Sequence, residues 1–317
     1  MKRLSGFTLT ELLIAMMLGL ILLSMAITAF SAVSKSTRQA QQLAELQQNA
    51  QLLISLFHNE LANVGFWGGR SAPAMATTFA LPILPVGDCL EPALDSGSFP
   101  SQDQHFVTLY AQFVNGGRQL NCLPEPLPQT EFLQVKRLIG LQTPIAEMRQ
   151  NRFYLETQWQ HSRFVSSDSA GLSEHFHYFP YQHLVFYLQQ QRVDGDVIPV
   201  LMRKRLSRNQ AGMAVISTDS ILDGVERMHF EFGIDSDADG QLNYQLATTE
   251  VPAAAWQQQG VHIISLKYYV LLRARKPDPA YVNEQQYDMG QFQFVAPGDH
   301  YRRMLVSSSI FFQNNAL

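Results

Sequence analysis

From Phe7 to Val33 the chain carries one charged residue, Glu11, and the next charges along it are Lys35 and Arg38. As a helix, such a run crosses a hydrocarbon core of about 30 Å. Lys2 and Arg3 ahead of it place the N-terminus in the cytoplasm by the positive-inside rule, so the rest of the chain is expected to be exported. A secretory signal peptide could use the small residues near Ala29 and Ser31 for cleavage. Its apolar region would span only roughly 7–15 residues, however, and would not contain a carboxylate. A plain single-span anchor accounts for the length but leaves Glu11 as an unexplained cost of roughly 2.5–3.5 kcal/mol.

The segment Gly6-Phe7-Thr8-Leu9-Thr10-Glu11 resembles the cleavage motif of type IV prepilins. The resemblance implies cutting after Gly6 by a prepilin peptidase and methylation of the new N-terminal Phe7. It also implies that the Glu11 carboxylate sits near the N-terminal amine of a neighbouring subunit. A charge in lipid is costly alone and tolerable when paired, so this placement implies assembly. Loss of the leader, residues 1–6, would take the formal net charge from −4 to −6. A balance of that sign, with a pI near 6.1, argues against general nucleic-acid binding, where a basic surface supplies most of the affinity.

The helical pattern continues past the membrane. No proline occurs between Phe7 and Ala72, and Gly19 is the only glycine between Phe7 and Gly65. The apolar positions Leu43, Leu46, Ala50, Leu53, Phe57, Leu61 and Val64 recur at helical spacing, with Gln41, Gln42, Gln47, Gln48, Gln51 and Asn59 opposite. Residues 7–33 are therefore expected to form the transmembrane half of one helix and residues 34–65 its amphipathic half, ending near Gly65. The whole helix would be roughly 85 Å long. The stripe is short for a free coiled-coil stalk and better suited to docking on the chain's own domain. Residues 66–317 read mainly as strands, at His105–Val114, Glu131–Ile139, Arg152–Trp159, Phe176–Leu188, Val197–Leu206, Val225–Ile234, Val261–Arg273 and Arg302–Phe312. Met228, Phe230, Phe232 and Ile234 alternate with His229, Glu231 and Gly233, as in a half-buried strand. The class is α+β: a long N-terminal helix packed on a mainly antiparallel β-sheet domain. The pattern leaves open whether that domain has one lobe or two.

Cys89 and Cys122 are the two cysteines. In an exported, oxidising setting they are expected to pair, with two free thiols as the alternative. Asp235, Asp237 and Asp239, followed by Gly240, resemble the start of a calcium loop. Counting from Asp235, however, the twelfth position is Leu246, where such a loop places a glutamate, and Glu250 lies further on. Calcium ligation and a hydrated turn both remain open. His175 and His177 lack an evident third ligand and are read as structural, and the basic group Arg203, Lys204, Arg205 and Arg208 as a solvated strand face. Trp159 and Trp256 are read as packing residues. No nucleophile motif, phosphate loop or complete zinc spacing is present, so neither an enzyme nor a required cofactor is expected.

Further pieces resemble PilW-type minor pilins in the same order along the chain. They are Leu46–Ala50 through Asn63-Val-Gly-Phe-Trp-Gly68, the strand from Phe132 to Arg137, the stretch Gly224–Gly240, and Leu266–Arg275 with Tyr301-Arg302-Arg303. This resemblance implies a low-abundance subunit, anchored in the inner membrane with a periplasmic domain and later carried to the pilus at the cell surface. Its implied partners are other minor pilins, the major pilin, prepilin peptidase, the assembly machinery and membrane lipid. Its implied role is priming pilus assembly and contributing to the tip complex. A J-type minor pseudopilin of type II secretion has similar architecture but is usually shorter, and a membrane-tethered adhesin would need neither Glu11 nor processing. Major pilins commonly carry a proline within the membrane helix, and this run has none.

Overall fold

The computed structural model describes residues 8–69, 82–101, 105–158, 161–193 and 195–314. Helix α1, Leu9–Leu61, is one uninterrupted element of 53 residues, about 80 Å long at 1.5 Å per residue. Its start is a capping box: the Glu11 N–H donates to Thr8 Oγ1, and the Thr8 N–H donates to Glu11 Oε2 at 2.9 Å. Its end is a loose turn leading to Gly65, which holds a left-handed φ of 83°. Only the second half docks. Leu46, Ala50, Leu53, Phe57 and Leu61 are buried, and Val64 continues the stripe beyond the helix. Leu43, expected to begin that stripe, is exposed; the docked face starts one turn later.

Two antiparallel sheets receive the helix. The first is built around β5, His177–Val193. Along one edge β5 pairs with β2, Glu131–Leu138, which pairs in turn with β1, Leu109–Phe113. Its other edge is shared. The early residues pair with β3, Phe153–Gln158, and the later ones with β6, Asp196–Arg208. β4, His161–Val165, extends β3, and β7, Ala214–Asp223, extends β6. The second sheet runs β13-β10-β8-β9. In chain order its strands are β8, Val225–Asp235; β9, Tyr244–Ala247; β10, His262–Arg273; and β13, Arg303–Phe311. A short helix, α2, Ala253–Trp256, precedes β10, and the ribbon of β11, Gln286–Met289, and β12, Phe292–Val295, precedes β13.

The two sheets share one core with the docked half of α1. Phe57 makes the junction: its ring packs edge-on against Phe186 of β5, with centroids 5.6 Å apart, and against Tyr268 of β10, at 5.0 Å. Glu131 ties the sheets together from within the core. Its Oε2 accepts from the Phe230 N–H at 2.8 Å and from Thr248 Oγ1 at 2.6 Å. Among the described residues, the globular part is thus one lobe built on two sheets.

Both sheets are also covered on their outer faces, which the alternation in the sequence does not reveal. A second cluster that includes Trp67, Phe99, Phe106, Phe153, Phe164 and Tyr181 lies over the first sheet. The β11–β12 ribbon covers the second, placing Phe292 against His229 at 4.1 Å between ring centroids. His229, expected on the solvent side of β8, is therefore buried.

Candidate functional site

Among the described residues nothing covers the N-terminal half of α1: Leu12, Ile14, Leu18, Ile21, Met25 and Phe30 are all exposed. A helix that is apolar all round and bare cannot remain so in water, where each fully exposed large aliphatic side chain forgoes roughly 1.5–3 kcal/mol of burial. Its length and apolarity suit a membrane span. Glu11 lies in the first turn of this surface, its carboxylate held by the Thr8 backbone and by the Thr8 hydroxyl at 2.8 Å. Gly6 and Phe7, the expected processing positions, lie outside the described residues.

The transition from bare to docked helix is marked by two contacts. Gln39 Nε2 reaches Asp278 Oδ2 at 3.5 Å, and Gln42 Nε2 donates to the Lys276 carbonyl at 3.1 Å. At the far end Glu60 pairs with Arg137 of β2 and with Arg203 of β6 at 3.7 Å. Arg203 also pairs with Asp219 at 3.0 Å, and Arg208 with Asp168 at 2.8 Å. The expected solvated basic face is therefore largely consumed in ion pairs. The missed signal was Glu60, a lone carboxylate at the end of the apolar helical stripe.

Residues 185–314 match the family model for PilW, type IV pilus-assembly protein W, and residues 1–27 match the prokaryotic N-terminal methylation motif. The later part of the chain is thus similar to PilW and its N-terminus to the methylated prepilin-type N-terminus. No curated protein and no solved structure gives a significant match. The PilW-type region takes in the end of β5, the β6–β7 hairpin and the entire second sheet, while the methylation motif covers much of the bare half of α1. The docked half of α1 and strands β1 to β4 fall between the two matches.

The other sequence candidates separate into distinct places. Cys89 and Cys122 are joined by a disulfide. Asp235, Asp237 and Asp239 lie in the β8–β9 turn, with one carboxylate oxygen of each within 4.8 Å of the others. Burial opposes charge on Asp235, but N–H donors from Gly240, Asp237 and Ala238 outweigh it and hold the carboxyl below its usual range. Leu246 pairs with Phe232 in the sheet, and Glu250 is engaged by Gln291, so neither closes the loop as a twelfth ligand would. The set fits a cation in its three carboxylates and departs from a standard loop in lacking the bidentate glutamate. His175 and His177 are both exposed. Trp256 packs against Phe232 and Tyr110, as a core residue, and Trp159 lies outside the described residues.

One buried polar cluster was not foreseen. Ser98 Oγ lies 2.5 Å from Asp88 Oδ1 and 2.9 Å from His183 Nδ1, and His183 Nε2 meets Gln134 Nε2 at 2.8 Å. Lys136, fully buried beside them, donates to the Val107 carbonyl and lies over the Phe106 ring. Although serine, histidine and aspartate meet here, Ser98 stands between the other two and all are sealed from solvent. A nucleophile needs histidine as the bridge and access for its substrate; this cluster fastens the segment from Asp88 to Ser98 onto β2 and β5.

Proposed function

We propose that the chain is a minor type IV pilin, a structural rather than catalytic subunit, that takes part in priming pilus assembly and in the tip complex. The observation that carries this reading is the continuity of α1. One unbroken helix joins a bare apolar half behind a prepilin-type motif to a half locked into a PilW-type domain. Prepilin peptidase cuts after Gly6, the span stays in the inner membrane, and the domain faces the periplasm until the subunit is drawn into a pilus. Other minor pilins, the major pilin and the assembly machinery are its partners. Head-to-tail packing of such helices is open and helical, which produces a filament rather than a ring.

The capping box supplies a sharper test of Glu11 than simple removal. Glutamine fills the same capping position but carries no charge. Glu11→Ala is expected to keep insertion and processing while sharply reducing recovery in sheared pili, and Glu11→Gln is expected to do the same. Normal recovery of the glutamine variant would assign Glu11 to the cap alone. The mass and N-terminal sequence of the protein from native membranes decide the route itself. A chain beginning at N-methylated Phe7 supports it; an uncut Met1, or a start near Val33, overturns it in favour of a tethered or secreted module. Pilus loss against secretion loss on gene deletion separates this reading from a J-type pseudopilin.

A further inference from the structure

We propose that the corner where α1 leaves the membrane is a binding surface for anionic lipid headgroups, formed by Lys35 and Arg38 of the helix and Lys276 of the domain. The proposal rests on the reading of the bare half as a membrane span. Lys35 and Arg38 precede Gln39 and Gln42 by four residues each, so the two pairs lie one helical turn apart on a single face. Gln39 and Gln42 are the residues that contact Asp278 and the Lys276 carbonyl. The loop carrying Lys276 therefore overhangs the same side of the helix as Lys35 and Arg38, just on the domain side of them. All three cations are exposed. The nearest carboxylate on the loop, Asp278, is occupied by Arg302 at 2.9 Å, so it does not neutralise the group.

Depth fixes the partner. Lys35 and Arg38 follow the last apolar residue, Val33, by about 3 and 8 Å along the helix. The polar layer of a bilayer leaflet is about 5–7 Å deep. With the apolar run in hydrocarbon, the Lys35 and Arg38 side chains reach the headgroups, and the loop, whose contact with Gln42 lies about 14 Å past Val33, holds Lys276 above them on the domain side, within a Debye length of the surface. Cations so placed attract anionic lipid, and the attraction falls with salt. The contact fixes the domain's rotation and height on the membrane before the subunit is withdrawn.

The test uses full-length protein in vesicles of phosphatidylcholine alone or mixed with phosphatidylglycerol. Lysines are acylated from outside and read by mass spectrometry, with Lys204 of β6 as the internal reference for outward-facing domains. Labelling of Lys35 and Lys276 relative to Lys204 is expected to fall about fivefold in the anionic vesicles, to recover in high salt, and to recover partly in Arg38→Gln. Equal labelling in the two vesicle types overturns the proposal, as does protection that appears only when another pilin is added. Resistance to alkaline carbonate extraction reports the membrane span separately. Extraction of the protein would defeat the anchor reading, whereas retention with equal labelling would defeat only the lipid contact.

Discussion

Lys136 is the residue whose ionisation the fold disturbs most legibly. Burial pushes its ammonium down to about 7 from an ordinary 10.5, against the pull of Asp88 and Asp95. Between those values the unfolded chain binds a proton that the folded chain does not, so stability should rise with pH through that window. Melting temperature is expected to climb from pH 7 towards pH 10 in the wild type, with a flatter profile in Lys136→Met; parallel profiles would mean that Lys136 is not the group responsible. The Asp235 turn carries a second expectation. We propose that Asp237 and Asp239, with Asp235 behind them, take calcium with an affinity of about 0.1–1 mM, the range of extracellular modules. Calcium should then raise the melting temperature, and Asp237→Asn should abolish the rise. An unchanged melt would leave the turn to the backbone amides that Asp235 already accepts.

At the scale of elements, the docked half of α1 is held by an apolar stripe and by the Glu60 ion pairs. Arg137→Ala leaves Glu60 with Arg203 alone and should cost roughly 3 kcal/mol, the low end for breaking a buried pair. Faster amide exchange confined to the last turns of α1 would mark the loss as local, and no change in exchange would show that the stripe suffices. Much of this element was legible in the sequence, because the absence of proline and the spacing from Leu46 to Val64 leave little but a helix. Strands with continuous apolar faces, such as β8 and β10, were legible for the same reason. β7 was not: Ser217, Thr218, Asp219 and Ser220 interrupt its apolar residues, as an edge strand permits. The ribbon of β11 and β12 has only four residues in each strand, too few for periodicity to show. The burial of His183 and Lys136 was not legible, because a sequence shows that two positions alternate, not that both faces of a sheet are covered. Glu11 stood out in sequence by its incongruity in an apolar run; its cap with Thr8 needed the structure.

Over the whole molecule, the disulfide joins Cys89, in the segment that covers the first sheet, to Cys122 ahead of β2. For a sequence separation of 33, chain-entropy arithmetic gives about 3–4 kcal/mol of stabilisation. Reductant is therefore expected to lower the melting temperature of the wild type and to leave a Cys89→Ser/Cys122→Ser variant unchanged; a reductant-insensitive wild type would mean that the bond adds nothing to stability. The seating of Phe57 has a mechanical consequence. Its ring touches one strand of each sheet, and Glu60 one turn later grips two strands of the first. A pull along the helix axis thus enters the domain at its seam and loads both sheets together, rather than peeling a terminal strand from one edge. The helix serves as a tow bar bolted to two plates, and the lobe would travel with it as a unit.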